Sequence, residues 1–364
     1  MRAHILDPAA YTPPYDHALC AALARAGVDT TLYTSRFAYD ETPEPQGYAR
    51  RELFYRVARR LQRPGARRWV RLAEHVPDML RYRRLAARDA DVVHFQWLPV
   101  QQLDVHLLPA GPPLVLTAHD VLPREPTPGQ RAAQRRLYTR MDAVVVHTQS
   151  GRERLVSELG LDPASVHVIR HGVLEHARDG VSALPQELRT DRAVVLCFGL
   201  LRPYKGLDLL LEAWRGIEDA ELWIVGMPRM DISGLRASAP AGVRWVPRFV
   251  GARELGAYFE RADLLVLPYR EIDQSGVAFT ALGFGKPMLL SDVGGFPELA
   301  ADGAAALFPA GDVGALRVAL EGLLRDRAER DRLAAGARAA AAGPYAWEAI
   351  AARTRELYDS LIVR

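Results

Sequence analysis

Twelve short runs rich in Val, Leu and Ile recur along the chain, each followed by a stretch of helix length. This alternation constrains the fold more than any other feature. In the first half the runs are HIL, TTLYT, DVVHFQW, PLVLTAHD, DAVVVHT and SVHVIRHG; in the second they are AVVLCFG, ELWIVG, GVRWVPRFV, ADLLVLPY, PMLLSD and AALFP. Runs that are apolar throughout belong to strands buried on both faces, and hence to a parallel sheet wrapped by helices. Parallel neighbours need crossovers, which the intervening segments supply. Twelve strands are too many for one comfortable sheet. The polar stretch 174–191 carries no apolar period and separates the two sets. The expectation is an α/β chain of two doubly wound domains, residues 1–175 and 190–344, with strands ending near residue 311 and Ala/Leu/Arg-rich helices after it.

A chain of 364 residues is long enough for two separate cores. Its net charge of +3 argues against a dedicated nucleic-acid binder. Cys20 and Cys197 are isolated thiols, as in a reducing compartment, and no apolar stretch suits a signal peptide or a membrane span. A cytoplasmic protein is expected. The stretch Arg50–Arg84 stands apart. Leu53, Phe54, Val57 and Leu61 fall on one face of a helical projection with Arg on the other, and Pro64–Gly65 is expected to break the segment into two helices. Such a helix packs its apolar stripe on the first sheet, or meets an anionic membrane or lipid-linked substrate with its basic face.

In open parallel sheets, ligands collect beyond the carboxyl ends of the strands, near free helix N-termini. Three turns of the second half suit an anion there. After VVLCF, Gly199 ends a strand, and Arg202 and Lys205 precede a helix opening around Gly206. Two cations at the positive end of a helix are unfavourable unless an anion joins them. Only two of the 47 basic residues are lysines, and Lys205 is one. After LLVLPY, Ser275 and Gly276 open an apolar helix with free backbone N–H groups. After MLLSD, Gly294 and Gly295 allow close backbone approach, with Glu298 in the following first turn. Together the three turns suggest a site for a nucleotide diphosphate.

No Gly-x-Gly-x-x-Gly fingerprint, Walker motif, His-Glu-x-x-His or Gly-x-Ser-x-Gly elbow is present. Asp89-Ala90-Asp91 precedes a strand, at the wrong sheet edge for a metal site. In the first half, His119 and Asp120 follow a buried strand and begin a long Pro-rich loop, whereas His94 and His171 read as structural.

With these residues assembled, the chain resembles family 4 glycosyltransferases of the GT-B fold. The likeness runs through DVVHFQW, LTAHD, VIRHGV, FGLLRPYKGLDLLLEAW, RADLLVLPY, GFGKPMLLSDVGGFPEL and the Trp347 of YAWEAIA. It implies two Rossmann-like domains facing across a cleft, with a C-terminal helix, about 345–364, returning to the first. It also implies a nucleotide-sugar donor on the second domain and transfer with retention to a glycan, lipid-linked or small-molecule hydroxyl. No cofactor and no metal is expected. Carried over, Arg202 and Lys205 hold the donor diphosphate, His119 contacts the donor sugar, and Ser275 and Gly276 touch that sugar through their amides. Gly199, Gly294, Gly295 and Glu298 complete the donor side, with Tyr15 and Asp120 on the acceptor side. The family's two glutamates correspond to Ile272 and Thr280. Glu271 is a one-residue replacement for the first, and the Thr280 hydroxyl a weaker ribose contact in place of the second. His171 stands where Asn is usual, and AAYTPPYDH replaces a Gly-Gly loop. The rival readings are a nucleotide-sugar epimerase or hydrolase of the same fold, and a non-catalytic nucleotide-sugar-binding partner.

Overall fold

The computed structural model describes residues 1–37, 40–61, 64–122, 129–174 and 183–363. Most of the Pro-rich loop after Asp120 and residues 175–182 of the stretch 174–191 lie outside these residues. The chain divides into two compact units, Met1–Gly172 with Trp347–Arg364, and Val173–Ala346.

The first unit is built on β1 (Arg2–Asp7), β2 (Asp29–Thr34), β3 (Ala49–Glu52), β4 (Val92–Phe95), β5 (Leu114–Thr117), β6 (Ala143–Val146) and β7 (Val166–Val168). All pair in parallel, in the order β3-β2-β1-β4-β5-β6-β7. The second unit has β8 (Ala193–Phe198), β9 (Ala220–Val225), β10 (Val243–Val246), β11 (Leu264–Leu267), β12 (Met288–Ser291) and β13 (Ala305–Phe308). These too are parallel, in the order β10-β9-β8-β11-β12-β13. In each sheet the winding reverses beside its first strand, between β1 and β4 and between β8 and β11. Helices leave to opposite faces there and open a crevice at the strand ends.

The twelve apolar runs coincide with twelve of these strands. Every position of β4, β5, β6, β11 and β12 is buried, as continuous apolar runs require. The additional strand, β3, corrects the reading of the basic stretch. Its sequence ARRE alternates exposed and half-buried positions at the sheet edge, where charged side chains discourage further pairing. Leu53 and Phe54 are buried, but Tyr55 has a left-handed φ of 54°, which ends any helical path. Val57 is 55 % exposed, so the supposed apolar face does not exist. The Glu74 carboxylate accepts the N–H groups of Val57 and Ala58, at 2.7 Å each, and Asp78 accepts that of Tyr55. One α-helix, Pro64–Asp89, follows. Pro64 begins it rather than breaking it, since an N-terminal proline lacks only an N–H that would be orphaned anyway.

Helix Trp347–Ile362 belongs to the first unit and packs on helix Pro13–Arg25. The Trp347 ring lies so close to Gly172 that a Cβ there would stand 2.4 Å from it. Asp91 accepts the Arg2 backbone N–H and its guanidinium, which gives the Asp89-Ala90-Asp91 segment a structural role.

Candidate active site

In the second unit the chain leaves β8 through Gly199 and makes a 3-10 turn, Pro203–Lys205, before helix Leu207–Trp214. Leu207, Leu210, Leu211 and Trp214 bury the inner face of that helix. Gly206 is left-handed, with φ 66°, and a Cβ on it would stand 2.0 Å from the Pro268 carbonyl oxygen. Only glycine lets the turn lie against the loop after β11. Arg270 fastens the same two segments. Its guanidinium grips Asp208 with two bonds of 2.9 and 2.6 Å and holds that carboxyl below the usual range, while its N–H donates to the Tyr204 carbonyl.

Lys205 is only 6 % exposed. Its ammonium donates to the Tyr269 hydroxyl at 2.9 Å and to the Phe198 carbonyl at 3.4 Å, and lies 4.8 Å from the Tyr269 ring centroid. Both oxygens are neutral, and they orient the buried ammonium at the strand end. A Cβ on Gly199 would stand 2.7 Å from Lys205 Nζ. Gly199 thus leaves close space for the ammonium, and a planar guanidinium on a bulkier head is expected to fit there less well. Arg202, just before the turn, is exposed.

The other two turns meet this one at the same sheet edge. A Cβ on Gly294, which has φ 54°, would stand 1.8 Å from the Ile272 carbonyl oxygen, and the Gly295 N–H donates to the Asp273 carbonyl. The Ser291 hydroxyl donates to the Tyr269 carbonyl. Helix Gly276–Gly283 starts with Ser275 as N-cap, and no side chain caps its first N–H groups. Glu271 is exposed, and Glu298 lies in the first turn of helix Phe296–Ala301. The Thr280 hydroxyl is buried and donates to the Gly276 carbonyl at 3.0 Å, so its proton is already committed to its own helix. Arg202, Lys205, Gly199, Ser275, Gly276, Gly294 and Gly295 thus share one edge.

In the first unit, four histidines follow or end successive strands: His94 on β4, His119 after β5, His147 after β6 and His171 after β7. All are buried, and Tyr15 packs against three of them, with ring centroids 4.8, 5.8 and 4.7 Å from His119, His147 and His171. Tyr15 is therefore the hub of a packed cage, and its ring also meets Trp347. Burial, reinforced by the neighbouring imidazoles, pushes His119 and His171 well below the ordinary histidine range. Burial brings His147 down to about 4 and His94 to about 3. These rings are neutral at pH 7.

Neutrality fixes the tautomers. His147 Nδ1–H donates to the Ile169 carbonyl at 2.9 Å, so its Nε2 is an acceptor and the His119 Nδ1–H donates to it at 3.2 Å. His119 Nε2 is then a bare lone pair, 3.1 Å from the Gln96 side-chain amide. Gln96 satisfies it with its NH2 group turned toward the ring, which also gives a partner to an amide nitrogen otherwise buried without one. Trp97 stacks on His119 at 4.9 Å. Both nitrogens of His119 are thus engaged within the unit, and a ligand hydroxyl reaches Nε2 only by replacing Gln96. His94 bridges the Tyr358 and Thr117 hydroxyls, a structural task. Exposed Asp120 lines the open cleft of about 780 Å³ beside His119.

The loop that replaces the Gly-Gly pair keeps a left-handed residue, Ala10, with φ 50°. The Asp7 carboxylate holds it in place by accepting the N–H groups of Ala9, Tyr11 and Thr12. Asp16, buried beside Asp7, is pushed well up by burial and by that neighbouring charge, so it carries the proton of the pair.

Sequence reasoning missed Tyr269, His147 and Gln96. Each sits within two residues of a strand's carboxyl end, the same placement that marked His119. Asp7, which closes β1, carried the same signal.

Comparison with known proteins decides the family. A model described as Glycosyltransferase Family 4 matches residues 15–174, and one described as Glycosyl transferases group 1 matches residues 192–326. The chain belongs to glycosyltransferase family 4. Relatives of this family-4 chain include a D-inositol 3-phosphate glycosyltransferase of Mycobacterium marinum, 28% identical over 264 residues, which are 65% of this chain and 56% of that protein. Another is a GDP-mannose:glycolipid 4-beta-D-mannosyltransferase of Xanthomonas campestris pv. campestris, 28% identical over 252 residues, 60% of this chain and 68% of that one. The match thus spans little more than half to two thirds of these relatives. Sucrose-phosphate synthase from Thermosynechococcus elongatus aligns over 100% of this chain and 99% of its own with a TM-score of 0.77 at 19% identity. The Anabaena protein Alr3699/HepE in complex with UDP-glucose aligns over 99% of this chain and 100% of its own with a TM-score of 0.75 at 18% identity. The fold is GT-B, with two Rossmann-like domains.

Proposed function

We propose that this family-4 chain transfers a sugar from a nucleotide-diphosphate sugar to a hydroxyl of a glycan, lipid-linked or small-molecule acceptor, with retention and without a metal. The observation that carries this is the buried Lys205 ammonium between Gly199 and Tyr269, at the crevice where the second sheet reverses. As the glycosidic bond to the diphosphate breaks, negative charge grows on the leaving phosphate. Lys205, Arg202 and the open N–H groups at Ser275–Gly276 stabilise it by preorganised electrostatics. A phosphate oxygen accepts the proton of the incoming hydroxyl, so no separate base is required. On the donor side Glu271 or Glu298 takes a ribose or sugar hydroxyl, and Thr280 offers only lone pairs. His119 offers a lone pair to a sugar hydroxyl that displaces Gln96. Peripheral contact with an anionic membrane is carried by the Arg50–Arg84 stretch, whose helix exposes Trp69, Leu72 and Leu80.

A thermal-shift panel of UDP-, GDP-, dTDP- and ADP-sugars tests the donor. A donor at about a hundred times its Kd stabilises the fold by about 2.7 kcal/mol. Nucleotide release that depends on an added acceptor supports transfer. Release without an acceptor, or binding with no turnover, favours the hydrolase or the non-catalytic reading.

A further inference from the structure

Beside the His119 cleft, the first unit has a second cleft of about 930 Å³ lined by Arg36, Arg59, Arg67, Arg68 and Arg71, with no Asp or Glu among its described lining residues. We infer that this cleft holds a phosphate group carried by the acceptor. The inference rests on the transfer reading above and names the acceptor's chemical class.

The acids near the cleft are already spent. Glu74 gives both oxygens to backbone N–H groups, and Asp104 is buried between His75 Nε2 at 2.6 Å and the Val100 N–H at 2.8 Å. Glu52 pairs with Arg59 at 3.0 Å, and Arg71 lies over the Tyr55 ring at 4.7 Å. Arg36, Arg67 and Arg68 have no carboxylate partner among the described residues. Arg67 and Arg68 also stand in the opening turns of helix Pro64–Asp89, whose first turn contains no acid. The helix dipole there opposes cations and favours an anion. Three uncompensated guanidinium groups match a phosphate dianion better than a single carboxylate, and their planar forks suit its oxygens.

Tyr11, Arg68, Pro99 and Val100 line both this cleft and the one at His119. One acceptor can therefore place its phosphate among the arginines and extend a hydroxyl toward His119. Trp69 and Tyr11, 71 % and 62 % exposed, supply ring faces for a sugar or aliphatic portion at the mouth.

The test uses protein carrying Lys205→Ala, so that phosphate binding at the donor turn is suppressed. Glycerol 3-phosphate is titrated into it calorimetrically, with and without Arg67→Ala/Arg68→Ala; both side chains lie at the surface, and unchanged melting verifies folding. Saturable binding weakened by about tenfold or more in the arginine variant is expected, with Arg36→Ala weakening it in the same direction. Vesicles of phosphatidylglycerol in phosphatidylcholine separate the sources. Displacement of vesicle binding by glycerol 3-phosphate supports a lipid-borne phosphate, and binding without displacement supports a soluble phosphate ester. No saturable binding, or equal affinity with and without the arginines, overturns the inference. The donor panel, read on the unaltered protein, tests the transfer reading separately.

Discussion

Where the winding reverses, the first sheet ends in a closed cage of rings and the second in open glycine turns around one ammonium, although the two sheets are wound alike. At the first edge, Tyr15, Trp347 and three histidines fill the space beneath the strand ends, and burial keeps the imidazoles neutral. Orientation is fixed there by hydrogen bonds, and the rings supply no net charge. At the second edge, Gly199, Gly206 and Gly294 remove side chains so that backbone segments and Lys205 converge. Topology sets where a crevice forms. The residues after each strand decide whether it is locked and neutral or open and cationic, and only the second kind suits a diphosphate.

The largest expected effect comes from filling the second edge. Gly206→Ala drives a methyl into the Pro268 carbonyl oxygen and strains a left-handed residue. A loss of about 3–5 kcal/mol in unfolding free energy is expected from denaturant titration. Gly303 is also left-handed but has nothing within 4 Å of its would-be Cβ. Gly303→Ala should therefore cost only about 1–2 kcal/mol of backbone strain. Equal losses at the two positions would show that close approach is not what fixes the Pro203–Lys205 turn.

Acid sharpens the other side of the comparison. Between about pH 6.5 and 4 the unfolded chain protonates its histidines while folded His147 stays neutral. The unfolded state then binds more protons, so stability is present above the unfolded value and is lost as pH falls through this window. His147 alone contributes on the order of 3 kcal/mol of that loss by pH 4. His147→Gln keeps a donor for Ile169 and an acceptor for His119 but does not titrate. It should flatten the melting-temperature slope across the window. An unchanged slope would mean that His147 is not held neutral. Nitrogen-15 spectra of His119 give a further check, with Nδ1 protonated and Nε2 bare.

The smallest effect is expected at Ala10. With φ at 50°, Ala10→Gly relieves left-handed strain but frees the unfolded chain, for a net change within about 1 kcal/mol. A larger loss would mean that the methyl group packs against the loop.

Much of this was legible in the sequence because continuous apolar runs such as LLVL and AVVV have a single structural solution. β3 was hidden because ARRE is an edge strand with no apolar signal, and the left-handed Tyr55 after it leaves no mark in residue type. That three turns of the second unit share one edge was legible because Gly, Lys and Ser follow strands directly. The histidine cage was half legible. His94, His119 and His171 were visible at strand ends, but their convergence on Tyr15 depends on how β4 to β7 are ordered. The arginine cleft was unreadable, since whether an arginine is paired depends on carboxylates from distant segments such as Glu52 and Asp104.

The most direct test of the cationic second edge is calorimetric titration of the nucleoside diphosphate selected by the donor panel, followed by steady-state transfer, for wild type, Lys205→Ala and Lys205→Arg. Lys205→Ala should weaken nucleotide binding and lower kcat/KM by about 10²–10³, equivalent to about 2.7–4 kcal/mol. Lys205→Arg should recover little of this, because a planar, bulkier guanidinium is expected to fit poorly between Gly199 and Tyr269. Wild-type binding and turnover in Lys205→Ala would contradict a diphosphate site at this turn, and full rescue by Lys205→Arg would contradict the fit of the slot to an ammonium.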